Sequence, residues 1–377
     1  MKQHVVLLKS RATNLGGLEK SASRIATAFV EKGARVSVLT TGPQPKNSSE
    51  VSFYAIQTIP WPSFIRMEQF DKFTRSWLKN NPADLVFGMD RNREQTHIRA
   101  GNGVHDAYLQ SRIFTEGKLK AFSCRLNPMH RKILELEKNA FENPRLKKLF
   151  TNSNMVREQI LERYNTDPAK IQVIHNGVEW NDMEQDFERW PSIREKAFER
   201  FQLDPHLFHI LFIGNGYRRK GLNQLLLGLS RLANPRVHLS VIGHDNQIEK
   251  YIAKAKRLQI SKQVRFFGPQ PEMRPFYQLA DVLAIPSFYD PFANVTIEAL
   301  AMGLFVISSS FNGGSEILTS QNGAVIENLL DPDAIVETLK IALQHQKTEI
   351  NSKAIRQSVK HLDFSKQMSL LTEACLE

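Results

Sequence analysis

The sequence predicts an α/β protein of two domains, each a doubly wound, mostly parallel sheet. Strand-like apolar runs alternate with helix-like segments up to about residue 174, and a second alternation restarts at 209 and continues to 326. Between them, residues 179–205 lose apolar periodicity and carry several charges and Pro191, as an interdomain linker would. The length of 377 residues also exceeds what one ordinary core accommodates. The expected division is 1–174, a crossover at 175–205, and a second domain at 206–354.

Taken in order, residues 3–9 (QHVVLLK) read as the first strand, and a helix follows from Leu18 to about Lys32, stopped by Gly33. The strand at 35–40 completes a β-α-β opening. Gly16 and Gly17 sit at the strand-to-helix junction, where the backbone can approach a phosphate or sugar; the other reading is a plain turn. The spacing is not GxGxxG, so a dinucleotide fingerprint is absent. Further strands are expected at 51–58, 84–89, 96–100, 148–152 and 171–174, with amphipathic helices at 66–80 and 127–142. The run RAGNGVH (99–105) ends in a histidine just after a strand and a glycine turn, a position suited to a cleft.

In the second half, strands are expected near 209–213, 237–242, 264–267, 282–285, 304–308 and 323–326. The loop GNGYRRKG (214–221) sets Arg218, Arg219 and Lys220 before a helix start, an anion site on electrostatic grounds or else a solvated loop. It lacks the order of a Walker sequence. Asp331-Pro332-Asp333 reads as a helix N-cap rather than a metal motif.

The stretch PSFYDPFANVTIEALAMG (286–303) carries the most chemistry. Asp290 lies in a strand-to-helix loop and Glu298 about one turn inside the helix that follows. In an open parallel sheet, ligands bind at the loops leaving the strands' carboxyl ends. The amides of Ala293, Asn294 and Val295 would face an anion there. Glu298 is followed by Ala299, Leu300, Ala301 and Met302, so it belongs to an otherwise apolar helix, and a carboxylate in such a helix needs partners. Two acids beside a phosphate-seeking helix end fit a ligand with both hydroxyls and phosphates, such as a nucleotide sugar.

The formal net charge is +11, and it is lopsided. Residues 1–174 hold 28 Lys and Arg against 16 Asp and Glu, whereas residues 175–377 hold 22 against 23. The first half therefore suits an anionic partner: nucleic acid, a membrane surface or a phosphorylated glycolipid. Residues 112–148 concentrate ten cations around Leu119, Phe122, Leu126, Met129 and Ile133, which reads either as a surface leaning on anionic lipid or as a solvated helix face. No basic and aromatic motif of a known nucleic-acid module is present, so nucleic acid is not expected. Cys124 and Cys375 have no metal-ligand spacing and suit a reducing compartment. No apolar run reaches the length of a signal core or membrane span, so a cytoplasmic location is expected.

Together these residues resemble the family 4 retaining glycosyltransferases, whose GT-B fold sets two Rossmann-like domains around a central cleft. DPFANVTIEALAMGLFV (290–306) follows that family's pattern EPFGxxxxEAMAxGxPV, with Asp290 in place of the first Glu. GGLEK (16–20) matches its N-domain glycine loop, RKG (219–221) its diphosphate site, and HNGV (175–178) its domain crossover. Within that family the chain resembles the WaaG-type lipopolysaccharide-core glucosyltransferases, in which the segment corresponding to 112–148 is associated with the membrane. The resemblance implies that Asp290 binds donor-sugar hydroxyls and Glu298 the ribose, while the amides around Ala293–Thr296 meet the sugar and diphosphate. Asn102 or His105 would take the acceptor-side polar position, His105 being preferred. Arg219 and Lys220 would neutralise the leaving diphosphate, so neither a metal ion nor a cofactor is expected. The partners implied are a nucleotide sugar resembling UDP-glucose and an anionic glycolipid at the inner face of the cell membrane. The tail at about 355–377 would pack back on the first domain. A non-enzymatic membrane- or nucleic-acid-binding protein, and a transferase using a GDP-sugar and a soluble acceptor, are the alternatives.

Overall fold

The computed structural model describes residues 2–10, 17–42, 50–59 and 61–377. The chain divides into two units, one of residues 1–175 with 365–377, the other of residues 176–364. The first unit holds β1 (His4–Leu8), β2 (Arg35–Thr41), β3 (Val51–Ile56), β4 (Leu85–Gly88), β5 (His97–Arg99), β6 (Lys148–Thr151) and β7 (Ile171–Val173). They pair in parallel in the order β3-β2-β1-β4-β5-β6-β7. The second unit holds β8 (Phe208–Ile213), β9 (Val237–Ile242), β10 (Val264–Gly268), β11 (Val282–Ile285), β12 (Phe305–Ser309) and β13 (Gly323–Ile326). These too are parallel, in the order β10-β9-β8-β11-β12-β13.

The central strands are legible as continuous apolar runs because helices cover both faces of a parallel sheet. HVVLL of β1 and VLAI of β11 are buried at every residue. In each sheet the strand order reverses beside the first strand, between β1 and β4 and between β8 and β11. Ligand sites of doubly wound sheets lie at such switch points, outside the strands' carboxyl ends. The chain leaving these ends is Lys9–Ser10 and Met89–Asp90 in the first unit, and the loops at 214–221 and 286–293 in the second.

Gly221 holds the last two loops together. Its φ is +76°, and a Cβ there would lie 1.8 Å from the carbonyl oxygen of Pro286. Gly216 has a similar φ of +71° but nothing within 4 Å of its would-be Cβ. Gly216→Ala is therefore expected to cost about 1 kcal/mol, the strain of the left-handed backbone alone. Gly221→Ala adds a clash with immobile backbone and is expected to cost at least about 3 kcal/mol. Urea midpoints of the two variants give the difference directly, and equal losses would refute the contact.

Two expectations are corrected by the coordinates, and two helices are added. Residues 179–205, expected as an interdomain linker without apolar periodicity, contain the helices Glu184–Glu188 and Trp190–Phe201. Trp180, Phe187, Trp190 and Phe198 are buried in the second core. Their spacing is helical, but Arg194 interrupts the apolar stripe; its guanidinium lies 5.6 Å from the Trp190 ring and donates to Asp281 at 2.7 Å. Residues 355–364, expected with the returning tail, belong to the second unit, where Ile355 and Leu362 are buried. Only from Ser365 is the helix Phe364–Leu376 part of the first unit, with Lys32 donating to Glu373 at 2.8 Å. Finally, the segment after His105 forms two helices that periodicity did not foretell, His105–Glu116 and Lys118–Leu126.

Candidate active site

In the second unit the expected donor residues converge. Asp290, 8 % exposed, accepts from Lys220 Nζ at 2.5 Å and from Arg219 Nη1 at 3.1 Å, both on the same Oδ2. Arg219 also donates to the carbonyl of Tyr289 at 2.8 Å, and its own carbonyl accepts from the amide of Phe288 at 2.8 Å. Burial alone would raise the Asp290 pKa, but the neighbouring Lys220 and Arg219 charges hold it below the usual carboxylate range. Burial pushes the Lys220 ammonium down, against the opposing pull of Asp290. Two cations facing one carboxylate leave this corner with surplus positive charge, which suits a diphosphate.

The helix Asn294–Ala301 starts beside this cluster with no side-chain cap. Asn294 and Val295 occupy its first two positions, where an amide has no acceptor within the helix. Ala293 differs from expectation: its amide donates to Asn312 Oδ1 at 3.1 Å and so is consumed by the fold. Thr296 differs likewise, its amide donating to the Ala293 carbonyl at 2.9 Å. The fully buried Asn312 was missed in the sequence. Its Oδ1 also accepts from Gly314 N at 3.1 Å, and its Nδ2 donates to Ser308 Oγ at 2.9 Å. An asparagine directly before two glycines, just past the strand 305–309, was the available signal. Glu298 is half-buried, and its Oε2 accepts from the buried Tyr277 hydroxyl at 2.7 Å.

In the first unit, His105 opens the helix His105–Glu116. Its amide donates to both carboxylate oxygens of Glu137, at 2.9 and 3.0 Å, and its Nε2 lies 3.0 Å from His130 Nδ1. Glu137, fully buried, also accepts from Arg91 Nε at 2.6 Å and from the Tyr164 hydroxyl at 2.6 Å. Burial, with the charges of Arg91, His130 and Arg112, drives the His105 pKa down to about 3, so the imidazole is neutral at pH 7. Asn102 is exposed on the turn before it and lines a small cavity with Met89, Asp90, Arg91 and Gly103. Gly16 lies outside the described residues, and Gly17 is the first residue of the helix Gly17–Glu31. Sequence reading missed Glu137, although it occupies the buried stripe Ile133-Leu136-Glu137-Ala140-Phe141, where an acid signals a satisfied polar network.

Residues 112–148 divide on inspection. On the helix Lys118–Leu126, Leu119 is 91 %, Phe122 66 % and Leu126 63 % exposed, and they share one face at spacings of three and four. Several cations of the region are paired within the protein: Arg112 with Glu116, Arg125 with Asp106, and Lys132 with Glu68 and Glu135. Among the described residues no helix is long and apolar enough to cross a membrane.

Two family models match this chain, Glycosyltransferase Family 4 over residues 15–181 and Glycosyl transferases group 1 over residues 193–361. The chain belongs to the family 4 glycosyltransferases. It is 26 % identical over 341 residues to the lipopolysaccharide glucosyltransferase WaaG of Escherichia coli K12, covering 87 % of this chain and 86 % of that one. The crystal structure of a WaaG superposes with a TM-score of 0.79 at 21 % identity, covering 98 % of this chain and 99 % of the other. Anabaena HepE, solved in complex with UDP-glucose, gives a TM-score of 0.68 at 16 % identity over 99 % of both chains. The fold is therefore GT-B and the chain an enzyme of the glycosyltransferase class, which removes the non-enzymatic alternative.

Proposed function

We propose that this glycosyltransferase moves a hexosyl group from a nucleotide sugar, of the UDP-glucose kind, to an anionic lipid-linked saccharide at the inner face of the cell membrane, with retention of anomeric configuration. The observation that carries the donor half is the Asp290–Lys220–Arg219 cluster beside an uncapped helix N-terminus. Breaking a sugar–diphosphate bond develops charge on the leaving phosphate, and fixed cations and amides stabilise it where it forms. Lys220, Arg219 and the amides of Asn294 and Val295 fill that role, and neither a metal ion nor a cofactor is called upon. Asp290 accepts from donor-sugar hydroxyls and Glu298 from the ribose. The two relatives named for lipopolysaccharide synthesis and for a UDP-glucose complex support this choice of donor and acceptor.

His105 is assigned to orienting the acceptor. Its Nε2 faces His130 and its depressed pKa keeps it a weak base, so a role as proton acceptor through Nε2 would first require that pair to part. Asn102, exposed on the adjacent turn, offers a polar contact to the same substrate.

The acceptor half rests on the exposed Leu119, Phe122 and Leu126 flanked by Lys118 and Lys120, an apolar stripe with a basic border that suits the headgroup region of an anionic bilayer. Hydrolysis and transfer are measured over a panel of UDP- and GDP-sugars, with Glu298→Ala as control and vesicles of anionic or zwitterionic lipid. UDP-glucose turnover lost in the control, and sedimentation with anionic vesicles lost in Leu119→Asp/Phe122→Asp, are the expected results. Normal turnover by Glu298→Ala would reject the donor site, and binding that ignores the double substitution would reject the membrane face.

A further inference from the structure

We propose that Tyr277 is a positioning residue for the donor: its hydroxyl sets the plane of the Glu298 carboxylate and thereby its selectivity for the vicinal hydroxyls of a ribose. The inference rests on the reading of Glu298 given above. Nothing in the sequence pattern singled Tyr277 out, because it belongs to a short helix, Arg274–Leu279, whose last four residues are all buried.

Tyr277 is 1 % exposed, and its hydroxyl donates to Glu298 Oε2 at 2.7 Å, the length of a charge-assisted bond. Burial first, and the charge of Glu298 second, raise its pKa well above the ordinary phenol, so the hydroxyl keeps its proton at neutral pH. A carboxylate on a helix surface rotates about its terminal torsion, which is broad and only weakly two-fold. A donor fixed on one oxygen removes that freedom before the ligand arrives.

The helix that carries Tyr277 is itself anchored at the backbone of that residue. Lys347, fully enclosed, donates through Nζ to the carbonyls of Tyr277 at 2.8 Å and Gln278 at 3.5 Å, closing the carboxyl end of the helix Arg274–Leu279. The ammonium stands 4.6 Å from the centre of the Trp190 ring. The Lys347 amide donates to Asp281 Oδ1 at 3.1 Å, the same oxygen that accepts from Arg194. Glu298, Tyr277 and Lys347 thus form a continuous strut from the half-buried carboxylate into the core. A strut of this kind holds a functional side chain within the few tenths of an ångström that recognition of a diol requires.

The test is Tyr277→Phe, which keeps the ring and removes the bond. The nucleoside diphosphate that binds most tightly among UDP, GDP and ADP is titrated by calorimetry against its 2′,3′-dideoxy analogue, with Glu298→Gln in parallel. Wild-type protein should favour the ribonucleotide. Tyr277→Phe should reduce that preference about tenfold and raise KM for the sugar donor by a similar factor, with kcat changed less than about threefold. Should Tyr277→Phe fail to fold, 3,5-difluorotyrosine at this position keeps the shape and strengthens the donor, and the preference should then increase. An unchanged preference in either variant, with Glu298→Gln reducing it, overturns the role of Tyr277. A preference untouched by Glu298→Gln overturns the reading of Glu298 itself and this inference with it.

Discussion

Lys220→Met is expected to lower kcat/KM for sugar transfer by a factor of about 10² to 10³, the usual loss when one preorganised stabiliser of developing negative charge is removed. Most of the loss should fall on kcat, because the charge on the leaving diphosphate grows only as the bond breaks. The substitution acts on the fold as well. Asp290 is buried and loses the closer of two cations, at 2.5 Å, while keeping Arg219 at 3.1 Å. Breaking such a pair should cost about 3 kcal/mol, at the low end for buried ion pairs because one partner remains. The double substitution Lys220→Met/Asp290→Asn removes the stranded charge along with its partner. It should recover most of the stability and none of the activity, a separation that urea unfolding and steady-state kinetics read independently. Activity recovered together with stability would show that Lys220 serves only the fold.

At pH 5 the chain is expected to have lost about 2 kcal/mol, relative to pH 7, for each of two buried histidines, His97 in the first unit and His238 in the second. Burial, with Lys147 and Lys148 nearby, depresses His97 from 6.5 to about 4. Burial, with His209 and Arg265, does the same to His238. The sign follows from which state takes up the proton. Between pH 6.5 and about 4 the unfolded chain protonates these rings and the folded chain does not, so stability falls as the pH is lowered through that window and levels off below it. Urea midpoints at pH 7, 6 and 5 give the slope, and His238→Gln should remove about 2 kcal/mol of the loss at pH 5. A midpoint independent of pH over this range would contradict the burial of both rings.

The strands were legible because a parallel sheet covered on both faces selects apolar runs, and VLAI stands where its composition put it. The helix Trp190–Phe201 was not, because Arg194 sits half-buried within its apolar stripe and is held there by a bond to Asp281, 87 residues away in sequence. In the site, the residue types Asp290, Glu298, Arg219 and Lys220 were legible from loop position and charge. Glu137, Asn312 and Tyr277 were not, since a buried acid, amide or phenol acquires meaning only from partners that the chain brings from elsewhere.

The stretch 286–303 shows where the division falls. By itself the sequence determined that an apolar strand ends before a turn, that an acid lies in the turn and another inside the helix, and that the helix begins beside a ligand-facing edge. Local propensity and periodicity are enough for that. Only the tertiary structure decided that Asp290 is locked to cations 70 and 71 residues away, that the Ala293 amide is spent on Asn312, and that Glu298 leans on Tyr277. Hydrogen bonds and ion pairs depend on distances of a few tenths of an ångström between segments remote in sequence, and no local pattern fixes those distances.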